Sequence, residues 1–251
     1  MQYKTAITRE PSASYLQCIS DHPLRDTISV GKARRQHQYY RDVLTNLGIE
    51  VILIPQEENL PDACFVEDTV ILYKGKAFIT RMAKESRRGE ETAIIQQLKK
   101  NFPLKIATEP ATIEGGDVIH LENSLIVGAT ERTNQEGIAQ MKSFLSVNID
   151  IIADPKIMHL KSHVTYLGKN TMIVTKNYAE HPVLGKFKKI VVPPSEIYAA
   201  NTLSVNGAVL MAKNYPKTQQ LVRDAGFDVI PLDTSEFEKC GGALTCLSIL
   251  F

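Results

Sequence analysis

The sequence lacks any charge imbalance: 29 Lys and Arg stand against 28 Asp and Glu, for a net charge of +1. Such a chain has no electrostatic footprint for a nucleic acid or an anionic membrane surface, and neither partner is expected. Long apolar runs are missing too. The longest are strand-sized, such as Val51 to Pro55 and Ile190 to Val192, far short of the roughly 20 apolar residues of a membrane span. The opening Met1-Gln2-Tyr3-Lys4 lacks the apolar stretch of a secretory signal. The four cysteines, at 18, 64, 240 and 246, form no C-x-x-C pair. They read as neither a disulfide framework nor a structural zinc site. A reduced, cytoplasmic chain without metal or other cofactor is the expectation, and a homodimer is compatible with it. No Pro/Gly/Ser-rich linker divides the chain, so residues 1–251 read as one domain. At 43% apolar residues, it is long enough to bury a sizeable core.

What the sequence does contain is a repeat. Thr69 to Tyr73 and Ala77 to Thr80 flank Lys74-Gly75-Lys76 and read as two strands about a tight turn. The same pattern recurs in Asp117 to Leu121 with Ser124 to Gly128, and in Val164 to Leu167 with Thr171 to Thr175. It recurs again in Leu203 to Val205 with Ala208 to Ala212, around Asn206-Gly207, the strongest short hairpin signal. Helical periodicity runs through Ser29 to Leu47, Glu90 to Phe102, Gln135 to Leu145 and from Pro216 to Gly226, mostly followed by a further short strand. The segment Ala179 to Lys186 has room for only a short helix. The unit is strand, strand, helix, strand, repeated about every 40–50 residues, as in closed or stacked repeat architectures. Four hairpins are internal. Leu244 to Phe251 and Lys4 to Thr8, both apolar, complete a fifth. The expected fold is a ring of five α/β units closed by the N- and C-terminal strands.

Polar residues interrupt this pattern at three strand entrances. Asp62-Ala63-Cys64-Phe65-Val66-Glu67-Asp68 crowds three carboxylates, which suits a solvated loop or a pocket for a planar guanidinium. Ile113-Glu114-Gly115-Gly116-Asp117 reads as a turn whose glycines supply positive φ, or as a carboxylate held beside a reacting group. Cys240-Gly241-Gly242-Ala243-Leu244-Thr245-Cys246 ends in a cysteine that is either a small buried hydrophobe or a nucleophile. His159 is a partner for it only if the two meet in space, with His163 as a competitor.

The ordered set Phe65-Val66-Glu67-Asp68, Ile79-Thr80-Arg81 with Ser86-Arg87-Arg88, Ile113 to Asp117, Arg132-Thr133-Asn134, His159-Leu160-Lys161, Tyr198 to Asn201 and Leu244-Thr245-Cys246 resembles the dimethylarginine dimethylaminohydrolase family. That family lies within the guanidine-modifying superfamily that includes arginine deiminase. The resemblance covers nearly the whole chain and implies a five-bladed α/β propeller. It implies hydrolysis of Nω-methylated arginine to citrulline and a methylamine through a covalent intermediate on Cys246. His159 would be the general acid/base and Glu114 its carboxylate partner. Asp62, Glu67 and Asp68 would help bind the substrate, and Arg87 and Arg132 would hold its α-carboxylate. Main-chain oxygens near Ile19 and at Cys240 would receive its α-amino group, beneath a lid at about Ser12 to Arg25 with few core-like positions. The carboxylates are expected to keep Cys246 a neutral thiol until a guanidinium arrives. Two other readings are an arginine deiminase, which would release ammonia, and a non-catalytic arginine-binding module, which would bind without turnover.

Overall fold

A computed structural model describes residues 2–251. Its strands are β1 (Thr5–Arg9), β2 (Glu50–Ile54), β3 (Val70–Tyr73), β4 (Lys76–Ile79), β5 (Leu104–Ile106), β6 (Val118–His120), β7 (Ser124–Ala129), β8 (Asn148–Ala153), β9 (Val164–Gly168), β10 (Thr171–Val174), β11 (Lys188–Val191), β12 (Leu203–Val205), β13 (Ala208–Ala212), β14 (Asp228–Leu232) and β15 (Ile249–Leu250). They form five three-stranded sheets, ordered β15-β1-β2, β3-β4-β5, β6-β7-β8, β9-β10-β11 and β12-β13-β14. In each, the first pair is antiparallel and the second parallel. A parallel return needs a crossover. α1 (Val30–Asn46), α2 (Thr92–Leu98), α3 (Gln135–Leu145) and α4 (Pro216–Asp224) provide it in four of the five units.

Local chemistry sets the element ends. The Ser29 side chain accepts from Lys32 N at 3.4 Å and starts α1. Asn134 accepts from Gly137 N at 2.8 Å and starts α3. These are N-cap bonds to donors the helix leaves unpaired. Asn206 and Gly207 take φ of 44° and 92°, as the tight turn between β12 and β13 demands. The middle strands β10 and β13 are buried on both faces, so their sequences are apolar or small throughout.

The core closes the ring. One cluster joins Ile71 and Phe78 of the second unit to Val118 and Leu125 of the third. The next joins Ile119 and Ile126 to Val164 and Met172, and another joins Leu167 and Ile173 to Val209 and Met211. Val205 and Leu210 then pack with Ala6, Leu244 and helix α1, and Ile7 and Ile249 pack with Val70 and Ala77. Each cluster is shared by neighbouring units, and the last returns to the start. The chain is the expected five-bladed α/β propeller.

Several expectations need correction. The periodicity from Glu90 to Phe102 yields only seven helical residues, Thr92–Leu98, because Glu90 is drawn into a buried pair with Arg87. The fourth unit has two short 3-10 turns, Lys176–Tyr178 and Pro182–Leu184, in place of a helix. The C-terminal apolar segment opens as a 3-10 turn over Thr245–Leu247, and only Ile249–Leu250 is strand. Cys18 and Cys240 form a disulfide with a Cα–Cα separation of 6.0 Å, whereas Cys64 and Cys246 are free. Spacing rules could not see it, since the partners are 222 residues apart. Gly115 and Gly116 do not have positive φ; they are glycine for close approach. A Cβ on Gly115 would lie 2.0 Å from Glu67 O, and one on Gly116 would lie 2.7 Å from the His159 ring. The first contact is with backbone, which cannot swing aside. Gly115→Ala should therefore destabilise by about 1–3 kcal/mol through overpacking. Gly31→Ala, on an exposed helical turn with only Arg35 Nη1 at 3.7 Å, should stabilise by about 0.4–1 kcal/mol. Thermal unfolding of the two variants checks both signs.

Candidate active site

Each blade's innermost strand is preceded by a 3-10 turn: Val66–Thr69, Gly115–Asp117, Leu160–Ser162, Pro194–Ala200 and Thr245–Leu247. The five turns meet, and hydrogen bonds from the turns and the strands beside them join each blade to the next. Gly116 N donates to Asp68 Oδ1 at 2.8 Å, and Leu160 N to Asp117 Oδ1 at 2.8 Å. Thr165 Oγ1 donates to Ala200 O at 2.8 Å. Thr245 N donates to Asn201 Oδ1 at 3.2 Å, and Asn201 Nδ2 donates back to Thr245 Oγ1 at 3.0 Å. Thr245 Oγ1 closes the circle by donating to Glu67 Oε2 at 2.8 Å. Across the middle, Lys161 Nζ donates to Glu67 Oε1 at 2.6 Å and to Gly115 O at 3.0 Å.

This ring brings Glu114, His159 and Asp68 together. His159 Nε2 donates to Glu114 Oε2 at 2.8 Å and lies 3.8 Å from Asp68 Oδ1. Glu114 Oε1 also accepts from Ala83 N at 3.0 Å. Burial opposes the imidazolium, but Asp68, the bond to Glu114 and Asp117 outweigh it and raise the His159 pKa to about 9. Burial likewise opposes both carboxylates, yet His159 and Arg87 hold Asp68 and Glu114 below their ordinary values. His163 lies outside this cluster, stacked 5.5 Å from Tyr178, so the competition with His159 is settled by placement.

Cys246 sits on the last turn, only 9% exposed. Burial first, then Glu67 and Asp68, push its thiol up to about 12. A cavity of about 520 Å³ touches Glu67, Gly115 and Thr245 but is not lined by Cys246 or His159. It opens on the hairpin side of the Lys161–Glu67 pair. The cavity and the titratable cluster lie in different places, and the cluster is the better guide to chemistry, because there His159 meets Glu114 and Asp68 while Asp68 also bears on the Cys246 thiol.

The two arginines differ. Arg87 is held bidentately by Glu90 at 2.9 and 2.8 Å and by Asp68 at 3.0 Å, with Glu114 at 3.5 Å. All three of its nitrogens therefore donate within the protein, which leaves only the second N–H groups of Nη1 and Nη2. Arg132 is equally buried, yet its Nε and Nη1 have no hydrogen-bond partner among the described residues. The nearest carboxylates are Glu131, 3.7 Å from Nε, and Glu114, 3.8 Å from Nη1; they balance the charge without hydrogen-bonding it, so two buried donors stay available to an anion. Asp62 accepts at both oxygens from Ile19 N at 3.3 Å, which places the lid against the acidic segment. Burial raises the Asp62 carboxyl above its usual value. Cys240 is buried, and its side chain is bonded to Cys18 on the lid. The lid has more core-like positions than expected, since Ser12, Tyr15 and Cys18 are all buried.

Asp68, Glu114 and His159 also offer ligand atoms within 4.8 Å of one another, a grouping that suits a metal ion. Arg87 and His159 already place positive charge on both carboxylates, so a cation there would face repulsion. Sequence reading passed over Glu90, which fixes Arg87, and its i, i+3 spacing from that arginine was the available signal. It also gave no role to Lys161, Asn201 or Thr245, whose partners lie in other blades.

A model of the family described as N,N dimethylarginine dimethylhydrolase, eukaryotic, matches residues 17–182. The N(G),N(G)-dimethylarginine dimethylaminohydrolase of Pseudomonas aeruginosa is 33% identical over 99% of this chain and 100% of its own. That of Streptomyces coelicolor is 33% identical over 99% of this chain and 97% of its own. The crystal structure of the Pseudomonas aeruginosa enzyme, as a cysteine-to-serine variant complexed with citrulline, superposes with a TM-score of 0.96 at 32% identity, covering all of both chains. The N-terminal domain of a cyanobacterial arginine dihydrolase shares the fold, with a TM-score of 0.90 at 18% identity over 100% of this chain and 97% of that one.

The raised histidine has a consequence for stability. Its folded pKa of about 9 exceeds the unfolded value of 6.5, so its stabilising effect is full below pH 6.5 and is lost as pH rises through about 9. The wild-type melting temperature should fall across that interval more than that of His159→Gln, which has no proton to lose. Parallel melting curves check it.

Proposed function

Because the chain belongs to the dimethylarginine dimethylaminohydrolase family, we propose that it hydrolyses Nω-methylated arginine to citrulline and a methylamine, with residues 1–251 acting as one catalytic domain. The observation that carries this reading is the buried His159, 2.8 Å from Glu114 and 3.8 Å from Asp68, in the same cluster of turns as the buried Cys246. These carboxylates favour an imidazolium on His159 against its burial, and burial with Glu67 and Asp68 favours a neutral thiol on Cys246. The resting site holds its positive charge on nitrogen and its nucleophile uncharged.

A substrate guanidinium entering beside Cys246 supplies the opposite charge that lowers the thiol pKa. Asp68 and Asp62 are assigned to fix the guanidinium plane by charge-assisted hydrogen bonds, and Glu67 to bear on it from the Lys161 side. The thiol then releases its proton to solvent, the thiolate attacks the guanidinium carbon, and the tetrahedral adduct forms. His159 gives its proton to the leaving amine, which departs neutral, and a thiouronium remains on Cys246. The imidazole, now neutral, takes a proton from the water that attacks this carbon. Collapse of the second adduct breaks the C–S bond, the hydroxyl proton goes to the departing sulfur, and citrulline leaves with Cys246 again a thiol. Glu114 holds the ring through its 2.8 Å bond and stabilises the imidazolium at both ends of the cycle. At the amino-acid end, Arg132 offers its Nε and Nη1, which make no hydrogen bond among the described residues, to the α-carboxylate, assisted by the N–H groups of Arg87 that its carboxylates leave free. The carbonyls of Ile19 and Cys240 are assigned to the α-amino group.

Two measurements test this. Cys246→Ser should lose turnover while still binding substrate, and product analysis of the wild type on methylated arginine should give citrulline with a methylamine. Ammonia from unmethylated arginine as the dominant product would assign the deiminase reaction instead, and binding with no product would assign an arginine-binding module. Arg132→Ala should raise KM for methylated arginine by roughly ten- to a hundredfold, for the loss of charged hydrogen bonds worth about 1.5–3 kcal/mol. It should leave the poor turnover of methylguanidine, which has no carboxylate, unchanged.

A further inference from the structure

Between Tyr15 and Ile28, Cys18 is the one buried residue of the lid. Leu16, Gln17, Asp21, Pro23 and Leu24 are exposed. Noncovalent restraints on this segment are few and polar. Ile19 N reaches Asp62 at 3.3 Å, Ser20 Oγ reaches Lys239 O at 2.7 Å, and Lys239 Nζ reaches Thr27 O at 3.0 Å. Such bonds exchange readily with water and do not hold a lid shut. The link to Cys240 is of another kind. Its Cα–Cα separation of 6.0 Å lies within the span of a disulfide, and it ties the lid to the chain that leads into Cys246. With the lid so held, Cys246 and His159 are 9% and 7% exposed, so substrate entry and product exit require the lid to move.

We propose that Cys18 and Cys240 are a regulatory oxidation site: the disulfide latches the lid over the active site and arrests turnover, and its reduction frees the lid. The proposal rests on the hydrolytic function assigned above. The oxidant is a low-molecular-weight disulfide. When the lid opens, the Cys18 thiolate attacks one sulfur of that molecule, forming a mixed disulfide and releasing one small thiol. The Cys240 thiolate then attacks the Cys18 sulfur and releases the second. Two protein thiols thereby lose two protons and two electrons, and the small disulfide gains them as two thiols. A dithiol reverses both steps. The nucleophile is spared, because Cys246 rests as the less reactive thiol form in a buried position, and Cys64 is likewise buried, with its pKa pushed up by burial.

The test compares full-length wild type equilibrated with oxidised glutathione and with dithiothreitol, using peptide mapping, hydrogen exchange of residues 12–25, and citrulline release. Oxidised wild type should carry the Cys18–Cys240 link, exchange its lid slowly and turn over at least tenfold more slowly, as expected when lid opening limits the cycle. Dithiothreitol should restore both properties. Cys18→Ser, with Cys18→Ala as a second variant, should keep a fast-exchanging lid and full turnover under either condition. Equal lid exchange in oxidised and reduced wild type, or failure of the link to form, would overturn the latch. So would inactivation of Cys18→Ser by the oxidant, which would place the damage at Cys246. Absence of citrulline from reduced enzyme would instead reject the hydrolytic assignment, while lid exchange would still report on the latch.

Discussion

Everything at the active site depends on the ring of hydrogen bonds that joins the five entering turns. Each blade contributes a short turn, and each blade is tied to the next by a side chain of the turn or of the strand beside it, such as Thr165 of β9 reaching Ala200 O. Asp68 binds Gly116, Asp117 binds Leu160, and Asn201 clamps Thr245, which reaches Glu67. Buried donors and acceptors must be paired, and in a closed ring each pairing fixes the position of the next blade. The same atoms that lock the architecture therefore carry Glu114, His159 and Cys246 to their places. A site built on five rigid turns is better defined than one built on mobile loops.

The ring also concentrates charge. Asp62, Glu67, Asp68, Glu90, Glu114 and Asp117 face four cations, Arg87, Arg132, Lys161 and His159. Burial raises the carboxyl groups of Asp62, Glu67, Glu90 and Asp117, the last to about 6 and Glu90 to about 7. Only Asp68 and Glu114, which touch His159 and Arg87, are held lower than usual. The cations are thus engaged by carboxylates, Lys161 by Glu67 and Arg87 by Glu90 and Asp68, and burial with the charge of Glu67 and Asp68 still outweighs Lys161 at the sulfur. A guanidinium is the group that such a site lacks.

How much of this was legible in the sequence follows from the range of each interaction. The hairpin at Asn206-Gly207 was readable residue by residue, since two left-handed backbone positions in succession leave few choices. The five-unit repeat was readable because each blade repeats the same strand and helix periods. The family motifs marked Cys246, His159 and Glu114. By contrast, Lys161 finds Glu67 across 94 residues, and Cys18 finds Cys240 across 222. No local pattern encodes such pairs. Gly115-Gly116 was legible as a special place but not for its reason, because close approach to Glu67 and His159 exists only after the blades have assembled. Arg87 was legible as an anion binder, and its anion turned out to include Glu90, three residues along the chain.

The central claim is that negative charge holds Cys246 as a thiol until a guanidinium neutralises it. The direct measurement is a pH titration of the ultraviolet thiolate absorbance of Cys246, with Cys246→Ser as the blank, in the presence and absence of a guanidinium ligand that cannot react. The account predicts a free-enzyme pKa well above neutrality, as burial and Glu67 require, and a fall of roughly 1–3 units when the ligand binds. A free-enzyme pKa already below neutrality and unmoved by the ligand would contradict it, and would mean that a thiolate–imidazolium pair exists before substrate arrives.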